Sequence, residues 1–91
     1  MIHLKVFSIS WCKPCKAMEP ALQELADRGL TIVKVDVEKQ KAIAEMHGVR
    51  GVPTLKLYRE ENLVGRHTGA MTLAQLEAFT KKAEAQLPGL T

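Results

Sequence analysis

Ser10-Trp11-Cys12-Lys13-Pro14-Cys15-Lys16 is the stretch on which the reading of this chain turns. It holds both cysteines and the only tryptophan, and it joins an apolar run to a helical pattern. Two thiols separated by two residues, placed where a strand gives way to a helix, read as a dithiol/disulfide redox pair. The spacing suits the chemistry. It brings the sulfurs within bonding reach, with Cys12 expected near solvent and Cys15 expected under the helix. An inert buried pair is disfavoured by the Trp and Pro around the thiols. A structural zinc site would need four ligands, and His3, His47 and His67 lack finger-like spacing.

Working outward, residues 2–9 are rich in β-formers without a breaker, and predict a buried strand with Ile2, Leu4 and Val6 on one face. Beyond Cys12, Met18, Ala21, Leu22 and Leu25 recur at helical spacing, which predicts a helix to about Asp27. Pro14 falls in the first turn, where a missing N–H costs nothing, Pro20 should kink the helix, and Arg28-Gly29 should close it. Leu30 to Val37 alternates as a strand, and Glu38 to His47 carries Ala42, Ile43 and Met46 at helical spacing before Gly48. A strand through Leu55, Leu57 and Tyr58 follows, then a polar turn at Glu60-Glu61-Asn62 and a returning strand from Leu63 to Thr68. Thr72-Leu73-Ala74-Gln75 is a capping box opening a last helix to about Gln86, with Leu76, Phe79 and Ala83 on its buried face. Met18, Ile43, Met46, Leu76 and Phe79 are read as core and the histidines as solvated. Pro88-Gly89 should end the structure and leave a frayed tail. The order is β-α-β-α-β-β-α, an α/β fold with a four-stranded mixed sheet and helices on both faces.

Ninety-one residues fit a single domain over 1–91. A net charge of +3 without a basic run, and with few aromatics, argues against nucleic-acid binding. No apolar stretch approaches membrane-spanning length, so no membrane partner is expected. Met1 to Lys5 runs straight into a strand pattern without the features of a signal peptide, so a cytoplasmic location is expected, where a Cys-x-x-Cys is more often redox-active than a structural staple.

These residues together resemble the thioredoxin family. Trp11 to Lys16 is similar to the family's WCGPCK motif with Lys13 in place of glycine. Pro20 stands where the family has its kinking proline, Val35-Asp36 is similar to the end of its next strand, Gly48 to Leu55 to its cis-proline segment, and Gly69-Ala70 to its glycine loop. The resemblance runs from about residue 2 to residue 80 and implies a minimal thioredoxin fold, without the family's extra N-terminal strand and helix. A second departure concerns a buried Asp six residues before the first cysteine, which the family pairs with a Lys on the next strand. The matching positions are read as Val6 and Ile32, so that acid and base are both replaced by apolar residues.

The resemblance implies that Cys12 is the nucleophile, Cys15 the resolving thiol, and Lys13-Pro14 the dipeptide that tunes the pair. A cation at Lys13 should stabilise the Cys12 thiolate and raise the potential by roughly 30 mV per unit of lowered pKa. It implies a cis Val52–Pro53 bond facing the cysteines, with Trp11, Gly51, Val52, Gly69 and Ala70 forming the substrate surface. The expected function is reduction of protein disulfides by a monomer needing no cofactor or metal, its electrons coming indirectly from NADPH through thioredoxin reductase. Alternatives are a glutaredoxin-like protein recharged by glutathione or another small thiol, and a binding subunit with no redox cycle. The motif disfavours the first, and the intact cysteines the second.

Overall fold

The computed structural model describes residues 1–85, so the expected helix end near Gln86 and the tail at Pro88-Gly89 lie outside the described residues. Four strands, β1 (Ile2–Ser8), β2 (Thr31–Asp36), β3 (Thr54–Arg59) and β4 (Asn62–Thr68), and three helices, α1 (Lys13–Asp27), α2 (Lys41–Met46) and α3 (Leu73–Ala85), follow the expected order. The strands form one mixed sheet in the order β2-β1-β3-β4. β1 is parallel to β2 and antiparallel to β3, which pairs antiparallel with β4. The parallel pair needs a crossover, and α1 provides it.

Alternation along the strands divides the sheet into two unlike faces. Leu4, Val6, Leu55 and Leu57 point to one side and meet Met18, Leu22 and Leu25 of α1 and Leu76, Phe79 and Ala83 of α3. This is the main core, and truncating any of its large side chains should cost about 2–5 kcal/mol. The capping box at α3 is formed: the Gln75 N–H donates to Thr72 Oγ1 (3.2 Å) and the Thr72 N–H to Gln75 Oε1 (2.9 Å). Helix α1 runs on through Pro20 and closes at Arg28, with Gly29 beyond it at φ +105°.

Among the described residues the other face carries only α2, which is shorter than expected. The Asp36 carboxylate accepts the N–H groups of Glu38 (2.9 Å) and Lys39 (3.1 Å), residues 37–40 form a turn, and the helix runs from Lys41. The six-residue helix buries Ala44, whereas Ile43 is 39% and Met46 85% exposed, which corrects their reading as core. Helical spacing identified a stripe, but so short a helix has room for one buried contact. The histidines are not simply solvated either: His3 stacks on Tyr58 and His47 tilts against Phe7. Finally, the residue opposite Val6 in the parallel register is Lys34, while Ile32 lies opposite Leu4. The acid of the expected polar pair is therefore absent, but a lysine stands at its partner position and pairs with Glu19 of α1 at 2.6 Å.

Candidate active site

The two cysteines sit where β1 ends and α1 begins. The Cys12 N–H donates to the Ile9 carbonyl (3.2 Å), turning the chain out of the strand, and Cys12 is the N-cap of α1. Pro14 lies in the first turn, where it displaces no helical hydrogen bond. The geometry follows from the cap: Cys12 and Cys15 lie one turn apart, their Cα atoms 5.2 Å from each other, and their sulfurs are joined as a disulfide. Cys12 Sγ also accepts the Cys15 N–H at 3.2 Å. The Cys15 N–H and the positive end of the helix thus meet at the first sulfur. Both cysteines are buried in this bonded form, so the expected contrast between an open Cys12 and a covered Cys15 is slight. Lys13 and Pro14 are exposed at the lip.

The loop from Gly48 to Thr54 carries a cis Val52–Pro53 peptide bond, as the resemblance implied. Thr54 Oγ1 donates to the Gly51 carbonyl (2.6 Å), closing this loop on itself before β3 begins. The Gly69 N–H donates to the Pro53 carbonyl at 2.8 Å, tying the loop after β4 to it. Gly69 holds φ at +111°, where a side chain would be strained. Gly69-Ala70 and Val52-Pro53 are thereby joined, and Ala70 and Met71 border Ala17, Met18, Thr72 and Gln75 in a groove of about 250 Å³ beside α1. A larger depression of about 360 Å³, lined by Met1, Ile2, Leu30 and Thr31 among others, lies at the opposite end of the parallel strands.

Trp11 is not a core residue: it is 69% exposed, and its indole N–H donates to Glu38 Oε1 at 3.2 Å. The sequence reading missed Glu38 because its link to Trp11 spans 27 residues and depends on the Asp36 turn that presents it. Ala17 and Met71, which line the groove beside α1, carry no signal in the sequence that would single them out. Among the described residues, no group of three or more His, Cys, Asp or Glu side chains could hold a metal ion, and no helix is long and apolar enough to cross a membrane.

Two thiols that bond across the first turn of a helix can take up and release two electrons reversibly, which is the chemistry of a dithiol–disulfide oxidoreductase. Known proteins lead to the same class. The thioredoxin family model matches residues 2–82, and by that match the chain belongs to the thioredoxin family. It is 34% identical over 76 residues to a thioredoxin of Buchnera aphidicola, covering 80% of this chain and 70% of that one. To a thioredoxin of Pseudomonas aeruginosa it is 36% identical over 72 residues, covering 76% and 67%. A mutant thioredoxin from Halobacterium salinarum superposes with a TM-score of 0.87 at 32% identity, covering 96% of this chain and 78% of that one.

Proposed function

We propose that this chain reduces disulfide bonds of protein substrates, with Cys12 as nucleophile and Cys15 as resolving thiol. The observation that carries the reading is the Cys12–Cys15 pair at the N-cap of α1, with the Cys15 N–H aimed at Cys12 Sγ. In the reduced protein the same donor and helix end stabilise a thiolate on Cys12, and exposed Lys13 adds a positive charge beside it. The thiolate attacks one sulfur of a substrate disulfide, forming a mixed disulfide and releasing the other sulfur as a thiolate. Cys15 then loses its proton and attacks Cys12 Sγ. The Cys12–Cys15 bond forms, the substrate leaves fully reduced, and two electrons have passed to it.

Substrate backbone is proposed to lie along Gly51-Val52, with the cis-proline loop, Gly69-Ala70 and exposed Trp11 as the contact surface. The groove at Ala17, Ala70 and Met71 is proposed to take a side chain. No carboxylate stands at position 6, so the Cys15 proton leaves to water or to the neighbouring sulfur. The oxidised pair is recharged by two electrons from NADPH through thioredoxin reductase, in a reducing cytoplasmic compartment, and the chain works as a monomeric single domain.

The test is turnover of a disulfide-bonded protein substrate with NADPH and thioredoxin reductase, run beside a glutathione/glutathione-reductase system. Activity with the first system supports the proposal, and activity with glutathione alone overturns its electron donor. Cys15→Ser should accumulate a mixed disulfide at Cys12, whereas Cys12→Ser should form none. Full biological activity of the double serine variant would overturn the redox role.

A further inference from the structure

The face of the sheet that carries α2 is only partly covered, and a row of cations runs across it from half-exposed Lys5 through buried Lys56 to exposed Arg66. In the register of the sheet Lys5 stands opposite Lys56, and Lys56 opposite Arg66. One row across β1, β3 and β4 therefore holds three cations on one face. Side chains directly opposite each other have Cβ atoms about 4.5–5.5 Å apart, and like charges there are destabilising. The ion pairs among the described residues use the N-terminal ammonium, Arg28 and Lys34, and none reaches this row.

Each cation of the row is held by a neutral group. The Lys56 ammonium, in a side chain only 5% exposed, donates to the His47 carbonyl (2.5 Å), and Arg66 Nη2 donates to the Gly48 carbonyl (3.0 Å). Lys5 Nζ lies 5.0 Å from the Tyr58 ring centre. Burial, with Arg66 and Lys5 beside it, pushes the Lys56 ammonium below its ordinary value. The carbonyls fix where the cations sit but leave the charge uncancelled. A single cation would suffice to cap the end of a six-residue helix. Apolar residues at 5 and 56 would give an ordinary sheet face without mutual repulsion. Two of the cations are anchored at the end of α2 while the repulsion along the row stays uncancelled, and local conflicts of this kind are expected at functional surfaces.

We propose that half-exposed Lys5 and exposed Arg66, with buried Lys56 adding its charge beneath them, form the docking surface for an acidic segment of a protein partner, which lays two or more Asp or Glu side chains across β1, β3 and β4. Charge complementarity selects the partner. Exposed Val33 and the Tyr58 edge give such a segment apolar surface beside its carboxylates. A nucleic acid would need aromatic faces on which bases stack; of the two aromatic rings beside the row, Phe7 is fully buried and Tyr58 is already engaged by His3 and Lys5. The carbonyls that hold Lys56 and Arg66 belong to the segment leading into Val52-Pro53, so a partner bound at the row reaches the sulfurs along Gly48 to Val52.

The experiment uses the full chain and a fluorescein-labelled peptide of alternating Glu and Ala, followed by anisotropy at low and high salt, with amide shifts mapping the site. The Glu peptide should bind, weaken with salt, and shift amides of β1, β3 and β4 around the row. A Gln/Ala peptide should not bind. Lys5→Gln/Arg66→Gln should weaken binding by about tenfold or more while leaving Cys12–Cys15 turnover of a small disulfide unchanged. A raised or unchanged Tm would show that this variant is folded, and Lys56→Met keeps a buried stem if a second variant is needed. Equal binding by the double variant, shifts confined to the Cys12 face, or tighter binding of oligothymidylate than of the peptide would each overturn the proposal.

Discussion

Replacing Val6 by Asp installs a carboxyl group at a core position that faces a lysine. Val6 is 2% exposed among Leu4, Met18, Leu22, Leu55 and Leu57, and Lys34 stands directly opposite it in β2. Loss of the buried valine costs about 2 kcal/mol. A neutral carboxyl without a hydrogen-bond partner adds about 1–3 kcal/mol. The Lys34–Glu19 pair, half exposed on both sides, contributes at most about 1 kcal/mol, so Lys34 can turn to a new partner at little expense. Desolvation nevertheless raises the pKa of such a carboxyl, and two units of rise correspond to about 3 kcal/mol. In the folded state the group then holds its proton above the unfolded value of about 3.9, so stability falls as pH rises through that window. Destabilisation of about 3–5 kcal/mol is expected near pH 4, and about 6–8 kcal/mol near pH 8, close to the whole stability of a domain this size. Urea melts at the two pH values measure the difference, and Lys34→Gln in the same background should widen it. A Val6→Asp protein whose loss of stability is the same at both would refute the reasoning that this site is sealed from water. Where the protein remains folded, a new inflection in the pH profile of disulfide reduction is expected as the carboxyl titrates near Cys15. An unchanged profile would refute its coupling to the resolving thiol.

A Cβ added at Gly65 would lie 3.0 and 3.1 Å from two ring carbons of Phe79 and 3.5 Å from Leu57 Cβ. Gly65→Ala should therefore lose about 1–2 kcal/mol despite the better strand propensity of alanine, and Phe79→Leu in the same chain should recover part of the loss in a double-mutant cycle. Glu38→Ala frees the indole of Trp11, the only tryptophan, so its fluorescence anisotropy should fall; KM for a protein disulfide should rise more than kcat changes. Burial first, then the charges of Lys5 and Lys56, holds His47 below its ordinary 6.5. The unfolded chain consequently binds more protons between that lowered value and 6.5, and stability should fall on acidification through this window. Calorimetric Tm values on either side of it should show the slope, and His47→Gln should flatten it.

Much of this protein could be read from short-range pattern. Alternation in Leu4-Val6 and Leu55-Leu57, helical spacing from Met18 to Leu25, and the Thr72–Gln75 box fixed element types and the main core, because these signals act within a turn or along one strand. The cysteines were legible for the same reason, since their chemistry depends on a separation of three residues. The sequence pattern misjudged α2, where residues 37–40 form a turn on the Asp36 carboxylate and only Lys41–Met46 are helical. Helical periodicity then assigned Ile43 and Met46 to a core that a six-residue helix cannot reach.

Relations across strands and between loops emerged with the folded chain. Strand register moved the partner of Val6 from Ile32 to Lys34, a shift of two residues that preserves the face and so leaves no trace in the alternation. The Gly69–Pro53 and Trp11–Glu38 hydrogen bonds join segments 16 and 27 residues apart. The Lys5–Lys56–Arg66 row assembles from three scattered cations that form no cluster along the chain. Local sequence sets backbone conformation and which face is apolar. Which side chains then stand opposite one another is set by the pairing that best closes the whole core.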